Sequence, residues 1–286
     1  MGSMLDVLYG TMGEYVFASQ NAVSAPDSNL LSQLDWDMKP VVMAGLKLEM
    51  TLPYSITAAF RFAGALPMTS GGMVNRDWLA GDNRLNPNDP ESPTHYSEHT
   101  NYLLGGYTSD VSVGYRFYSY TWHIKPMIGF KAHYFTFDGR DGFGNYPSGD
   151  MRFYGTVISY RQYYRIPYIG LAGGWRHHDR GSIGITTRYS PFVYADAIDH
   201  HYTRRLEFFD FLKKGMYWDI AIRSELSLNR GFTPWLEIGW QGTNQFIGDT
   251  TILNSETGQK FNRTDSAGAS LRLLRLSAGI SLQTAL

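Results

Sequence analysis

The sequence predicts an all-β protein, a ten-stranded antiparallel up-and-down transmembrane β-barrel. Three observations lead there. The 286 residues are rich in strand and turn formers, with 20 Tyr, 16 Phe and 30 Gly, which suits strands and tight turns over helices. Ten segments alternate in polarity with a period of two, the repeat of a strand whose two faces meet different surroundings. Their connections alternate between short and long, as in a barrel with short periplasmic turns and long external loops. No apolar run approaches the ~18 residues that a membrane helix needs.

The segments are residues 6–19, 32–51, 56–68, 101–118, 121–137, 152–175, 182–201, 216–229, 234–246 and 267–282. They run to roughly 12–24 residues, against ~5–6 in ordinary globular strands. Short gaps fall at 52–55, 119–120, 176–181 and 230–233. Long ones cover 20–31, 69–100, 138–151, 202–215 and 247–266. At the end of the second segment and the start of the turn after it, Leu46, Leu48, Met50 and Leu52 alternate with Lys47, Glu49 and Thr51. In the fifth, Ile128, Phe130, Ala132 and Tyr134 oppose Lys131 and His133. In the last, Leu274, Leu276, Ala278, Ile280 and Leu282 oppose Arg275, Ser277 and Ser281. Each set reads as one lipid-facing and one lumenal face. Trp36, Trp122, Trp175, Trp218 and Trp235 lie near segment ends and suit interfacial girdles. Pro40, Pro126, Pro167 and Pro191 fall inside segments. Each removes a ladder donor, so a bulge or a later strand start is expected there.

Charge and cysteine content narrow the function. Lys and Arg number 25 against 26 Asp and Glu, for a net charge of −1, so no broad attraction to nucleic acid is expected. The absence of cysteine excludes disulfide and thiolate chemistry. Met1-Gly2-Ser3 reads as an expression scar before a mature start, no signal peptide is visible, and residues 1–286 read as one barrel domain.

Asp199-His200-His201 closes one segment, and Asn75 and Asp77 sit just beyond another. Residues two apart in a strand share a face. Asp199 therefore lies beside His201, and Asn75 beside Asp77 if that stretch is extended. Imidazole titrates near neutrality and can take a proton from water. A neighbouring carboxylate orients the ring. Two bland readings compete. The pair His177-His178 with Asp179, or His200-His201 with Asp199, suggests a metal, but adjacent histidines in a strand face opposite ways. Ser97 with His201 suggests a serine nucleophile, but no Gly-x-Ser-x-Gly turn surrounds Ser97.

Several strings together resemble the omptin family of outer-membrane proteases: Ser32-Gln33-Leu34-Asp35-Trp36, Gly72-Met73-Val74-Asn75-Arg76-Asp77-Trp78, Ser97-Glu98-His99, Pro167-Tyr168-Ile169-Gly170-Leu171 and Asp199-His200-His201-Tyr202. They occur in the family's order over nearly the whole chain. The resemblance implies a ten-stranded barrel in the bacterial outer membrane and an aspartyl-type endopeptidase site at its external rim. Protein or peptide substrates carrying basic residues are implied, with outer-membrane lipid as surroundings. It implies His201 as general base, Asp199 as its orienting carboxylate, and Asp77 on the facing wall. Asn75 departs from the family, which has Asp there; asparagine can hold a water but cannot accept its proton. An engineered inactivation, a weak natural variant and a pseudo-enzyme all fit. The resemblance further implies a pocket for the basic side chain from Glu14, Met73 and Ile158, with a second acid at the position of Ala197. One acid in place of two predicts a weaker or reshaped basic preference. Ser97 and His99 are implied as supporting residues. No cofactor or metal is implied. The family's lipopolysaccharide-gripping positions fall on Phe130, Ala132, Tyr134 and Tyr163, which lack its acid and arginines, so lipopolysaccharide dependence is not carried over. A non-catalytic barrel acting as an adhesin is the alternative function, and a small pore a third.

Overall fold

A computed structural model describes residues 1–18, 30–89, 91–177, 180–228 and 231–282. Its strands are β1 (Gly2–Phe17), β2 (Leu30–Thr51), β3 (Ile56–Ala65), β4 (Met68–Asp77), β5 (His95–Tyr115), β6 (Phe117–Tyr118), β7 (Trp122–Tyr146), β8 (Gly149–His177), β9 (Gly181–His201), β10 (Leu206–Leu226), β11 (Phe232–Thr243), β12 (Phe246–Asn254) and β13 (Lys260–Leu282). All pairings are antiparallel. The ring closes where β1 pairs with β13. β3 and β4 are the lower and upper parts of one wall, since both pair with β2 and β5. β11 and β12 form another, between β10 and β13. β6 is a two-residue hook on β7. The hydrogen-bonded ring thus has ten walls, as the alternation predicts.

The predicted long gaps are mostly strand. β4 and the start of β5 lie in 69–100, and the β7–β8 hairpin narrows 138–151 to a turn after Tyr146. β10 already begins at Leu206, and β12 and the start of β13 fill much of 247–266. Of gap 20–31, residues 20–29 lie outside the described residues. The reason is physical. β8 has 29 residues, which at ~3.3 Å each and ~45° tilt rise about 65 Å, against ~30 Å of hydrocarbon. Above the lipid neither face meets hydrocarbon, so the ladder continues while the apolar alternation that marks it is lost.

Leu46, Phe60, Val113, Ile128, Ile169, Ile185, Ile222, Leu236 and Leu276 are exposed and form the outer apolar band. Arg275 and Ser277 turn inward and are buried. Two tryptophans depart from the girdle expected of them. Trp36 is fully buried in the lumen between Leu34 and Met38, stacked on Tyr160 with ring centroids 5.3 Å apart. Trp235 is also buried, with the Arg223 guanidinium 3.9 Å over its ring. Both sit at lumenal positions of the two-residue repeat, which outweighs their nearness to a strand end. Trp122 and Trp175 do face outward. The prolines divide similarly. Register shifts fall opposite Pro40, and between Arg165 and Ile169 around Pro167 and Pro191, whereas Pro126 stays in an unbroken ladder with Leu171.

The lumen is filled in layers. Lowest is an ionic plug. Lys131 Nζ donates to Asp219 at 2.8 Å, Tyr217 at 2.7 Å and Gln241 at 2.7 Å. Arg61 bridges Asp6 and Glu237, Arg275 also reaches Glu237, and Glu49 takes Arg116 and Lys125. Above it is an apolar and aromatic layer that includes Leu8, Met12, Met38, Phe135, Tyr164 and Leu273. This layer is the floor of the mouth.

Candidate active site

The mouth lies at the end opposite the short turns. Every residue singled out for it is lumenal and buried: Glu14, Met73, Asn75, Asp77, Ser97, His99, Ile158, Ala197, Asp199 and His201. At the same height the outer face of β2 carries Asp35 and Asp37, paired with Arg76 and Lys39, so the site stands above the lipid.

One bank comes from β4 and its neighbours. Asn75 lies in register with Leu34 on β2 and Ser97 on β5, and Asp77 with Ser32 and His95. The Ser32 hydroxyl reaches both, at 2.7 Å from Asp77 Oδ1 and 3.2 Å from Asn75 Oδ1. Its one proton serves Asp77 best, since a short bond to a carboxylate is the stronger. Ser97 does not approach His201 as a nucleophile pair requires. It donates to His99 Nε2 at 3.0 Å, and His99 Nδ1 donates to the Asp141 carbonyl at 2.6 Å. Burial lowers the pKa of His99 from its usual value, partly offset by that carbonyl. The neutral ring therefore props the β5–β7 hairpin.

The other bank is β9, where the two-residue repeat separates neighbouring histidines. His201 Nε2 lies 2.5 Å from Asp199 Oδ2 in the lumen. His200 points outward, 3.2 Å from Glu207. Asp196 also faces out, paired with Arg165. His201 stands opposite Ile158 on β8 and packs edge-on against Phe208, with centroids 5.4 Å apart. Burial, then the Arg204 charge, push its pKa down to about 4, against the opposing pull of Glu14 and Asp77. The imidazole is thus neutral at pH 7 and free to accept a proton.

Arg204 spans the banks. It lies in the short turn between β9 and β10, and its Nη2 donates to Asp77 Oδ2 at 2.8 Å. Glu14, on β1, accepts a long 3.4 Å bond from the Trp36 indole. Burial, then the charges of Asp199 and Asp210, push the Glu14 carboxyl up, and burial pushes Asp199 up as well. These acids feel one another in a dry setting, and the Arg204 charge offsets the rise at Asp199 only in part. Sequence reasoning missed Ser32, Arg204 and Asp210. The first two act across strands or from a turn, and carry no local signal. His178 and Asp179 of the other histidine cluster lie outside the described residues.

Three of the four lipid-facing positions that the resemblance marks, Phe130, Tyr134 and Tyr163, are aromatic, and the fourth, Ala132, is covered. Tyr107 stacks on Tyr134 at 5.6 Å and lies 6.4 Å from Tyr163.

A tall closed barrel with a lumen plugged below and a polar groove at its rim defines the class, an outer-membrane β-barrel. The Omptin family model matches residues 1–284, and the chain belongs to that family. Protease 7 of Escherichia coli K12 is 23% identical over 278 residues, covering 92% of this chain and 83% of the relative. The plasminogen activator of Yersinia pestis is 26% identical over 264 residues, covering 87% and 80%. The outer membrane protease IcsP of Shigella flexneri is 24% identical over 271 residues, covering 87% and 80%. The crystal structure of the outer membrane protease OmpT from Escherichia coli superposes with a TM-score of 0.85 at 20% identity, covering 99% of this chain and 96% of the other.

Proposed function

We propose that this chain is an aspartyl-type endopeptidase of the outer membrane that cleaves next to basic residues, with a water molecule as the attacking species. One observation carries it. His201, neutral and held 2.5 Å from Asp199, faces Asp77 across the external mouth of a closed barrel. The water is placed between the banks by Asp77 and Asn75. Its oxygen attacks the peptide carbonyl carbon while His201 takes its proton. The same proton then passes to the departing amine as the C–N bond breaks. Asp199 positions the ring and stabilises the imidazolium. Glu14 receives the basic side chain.

Asn75 makes the reaction slow, because the carbonyl oxygen of an amide holds water without the charge that would favour imidazolium. A quenched peptide with paired basic residues tests this. Asn75→Asp is expected to raise kcat/KM about tenfold or more, and His201→Ala to remove about a thousandfold of whatever rate is present. An Asn75→Asp rate equal to the parent's would sink the role given to residue 75.

A second reading has its own observation. Arg204 already occupies Asp77 at 2.8 Å, which suits a barrel that binds surface ligands without cleaving them. It predicts no cleavage by the parent or by Asn75→Asp.

A further inference from the structure

The mouth contains an acid that the family resemblance does not assign. Asp210 on β10 faces the lumen, is 8% exposed, and makes no ion pair among the described residues. Its cross-strand neighbours are Ala197 on β9 and Thr250 on β12, and Ala197 in turn stands opposite Gln162 on β8. Four lumenal side chains therefore share one level, one step below Asp199. Directly opposed residues of paired strands have Cβ atoms only about 5 Å apart. A carboxylate on residue 210 can thus serve the volume that one on residue 197 would serve.

Independent of the acids, two buried neutral groups here have no partner. Gln162 is 1% exposed, and both its carboxamide nitrogen and oxygen are unbonded. The Tyr160 hydroxyl, one step up β8, is unbonded as well. Buried polar groups are almost always satisfied, and leaving one unmet is costly. Unbonded acceptors beside two acids that have no lysine or arginine partner among the described residues, Glu14 and Asp210, describe a position built for a cationic group with several N–H donors.

Resting on the function proposed above, we propose that Asp210 is the second acid of the basic-side-chain position, displaced by one strand from residue 197, and that with Glu14, Gln162 and Tyr160 it selects arginine over lysine. A guanidinium carries five N–H groups in a planar fork, enough for both carboxylates and both neutral acceptors. An ammonium has three donors and no plane.

Two measurements on the full chain in detergent micelles test this. The first is calorimetric titration with N-acetylarginine amide and N-acetyllysine amide. The second is cleavage of matched peptides carrying arginine, lysine or citrulline beside the scissile bond, run in the Asn75→Asp background. Asp210→Asn is expected to weaken arginine binding, and cleavage of the arginine peptide, by about 30-fold. Most of that loss should appear in KM, with the citrulline peptide little changed. Adding Ala197→Asp to Asp210→Asn should restore at least part of the arginine preference, which repair of a merely structural defect would not do. Equal losses on arginine and citrulline peptides, or arginine binding unaltered by Asp210→Asn, overturn the assignment while leaving the peptidase reading intact. Absence of all cleavage, with Asp210-dependent arginine binding, overturns the peptidase reading and supports the assignment.

Discussion

The lower lumen and the mouth are both rich in buried charge, and they treat it in opposite ways. Below, Asp6, Glu49, Asp110, Asp219 and Glu237 each face at least one lysine or arginine, with contacts from 2.5 to 3.4 Å. Above, Asp77 takes the Arg204 guanidinium at 2.8 Å, whereas Glu14 and Asp210 make no ion pair with a lysine or arginine among the described residues, and Asp199 lies against the neutral His201. A buried charge costs several kcal/mol unless it is paired. The lower network meets that requirement internally and fixes the strands that cross the lumen. The mouth meets it at Asp77 and leaves Glu14 and Asp210 without a cation, which on the function proposed above arrives with the substrate. On the function proposed above, buried charge is structural in one layer and recognitional in the next.

The comparison can be broken most forcefully from below. Lys131→Met leaves Asp219 with Arg188 as its one close cation and removes a donor from the Tyr217 and Gln241 side chains. It should cost about 3–5 kcal/mol, read as a fall in the urea midpoint for unfolding from micelles. A loss under about 1 kcal/mol would mean that Arg188, 2.9 Å from Asp219, suffices alone. At the mouth the reverse is expected. Glu14→Gln should change stability by less than about 1 kcal/mol, since the buried carboxyl is already pushed toward its neutral form. The preference for arginine over citrulline should nevertheless fall about tenfold, loss of a charged partner being worth 1.5–3 kcal/mol at most sites. A large stability loss without a change in preference would place Glu14 with the structural acids.

The smallest effect concerns Arg204. A histidine must be neutral to act as base, so activity should hold at neutral pH and fall as pH drops through about 4, where His201 protonates. Arg204 disfavours the imidazolium. Arg204→Gln should therefore raise the pKa of His201 and move the acid limb of the kcat/KM profile to higher pH. A limb that stays in place would show that the guanidinium charge is not felt at the ring.

The fold was readable because lipid acts on every second residue. Leu274, Leu276 and Ile280 face outward and Arg275 and Ser277 face inward in β13, and the sequence repeats that contrast for each wall. The upper strands were not readable. Residues 68–77 and 246–254 meet water outside and packed side chains inside, so their polarity does not alternate cleanly, although β4 and β12 extend the ladder there. Trp36 and Trp235 misled for a related reason, since closeness to a strand end says less than the parity of the position.

The chain by itself determined the number of walls, the face on which each side chain stands, and the pairing of Asp199 with His201, because all three follow from a two-residue repeat within single strands. Only the closed barrel decided that Arg204 would meet Asp77, that Ser97 would turn to His99, and that Asp210 would stand beside Ala197. Those contacts join different strands or a turn to a strand. Register and closure bring them together, and no local pattern encodes which residue will be opposite.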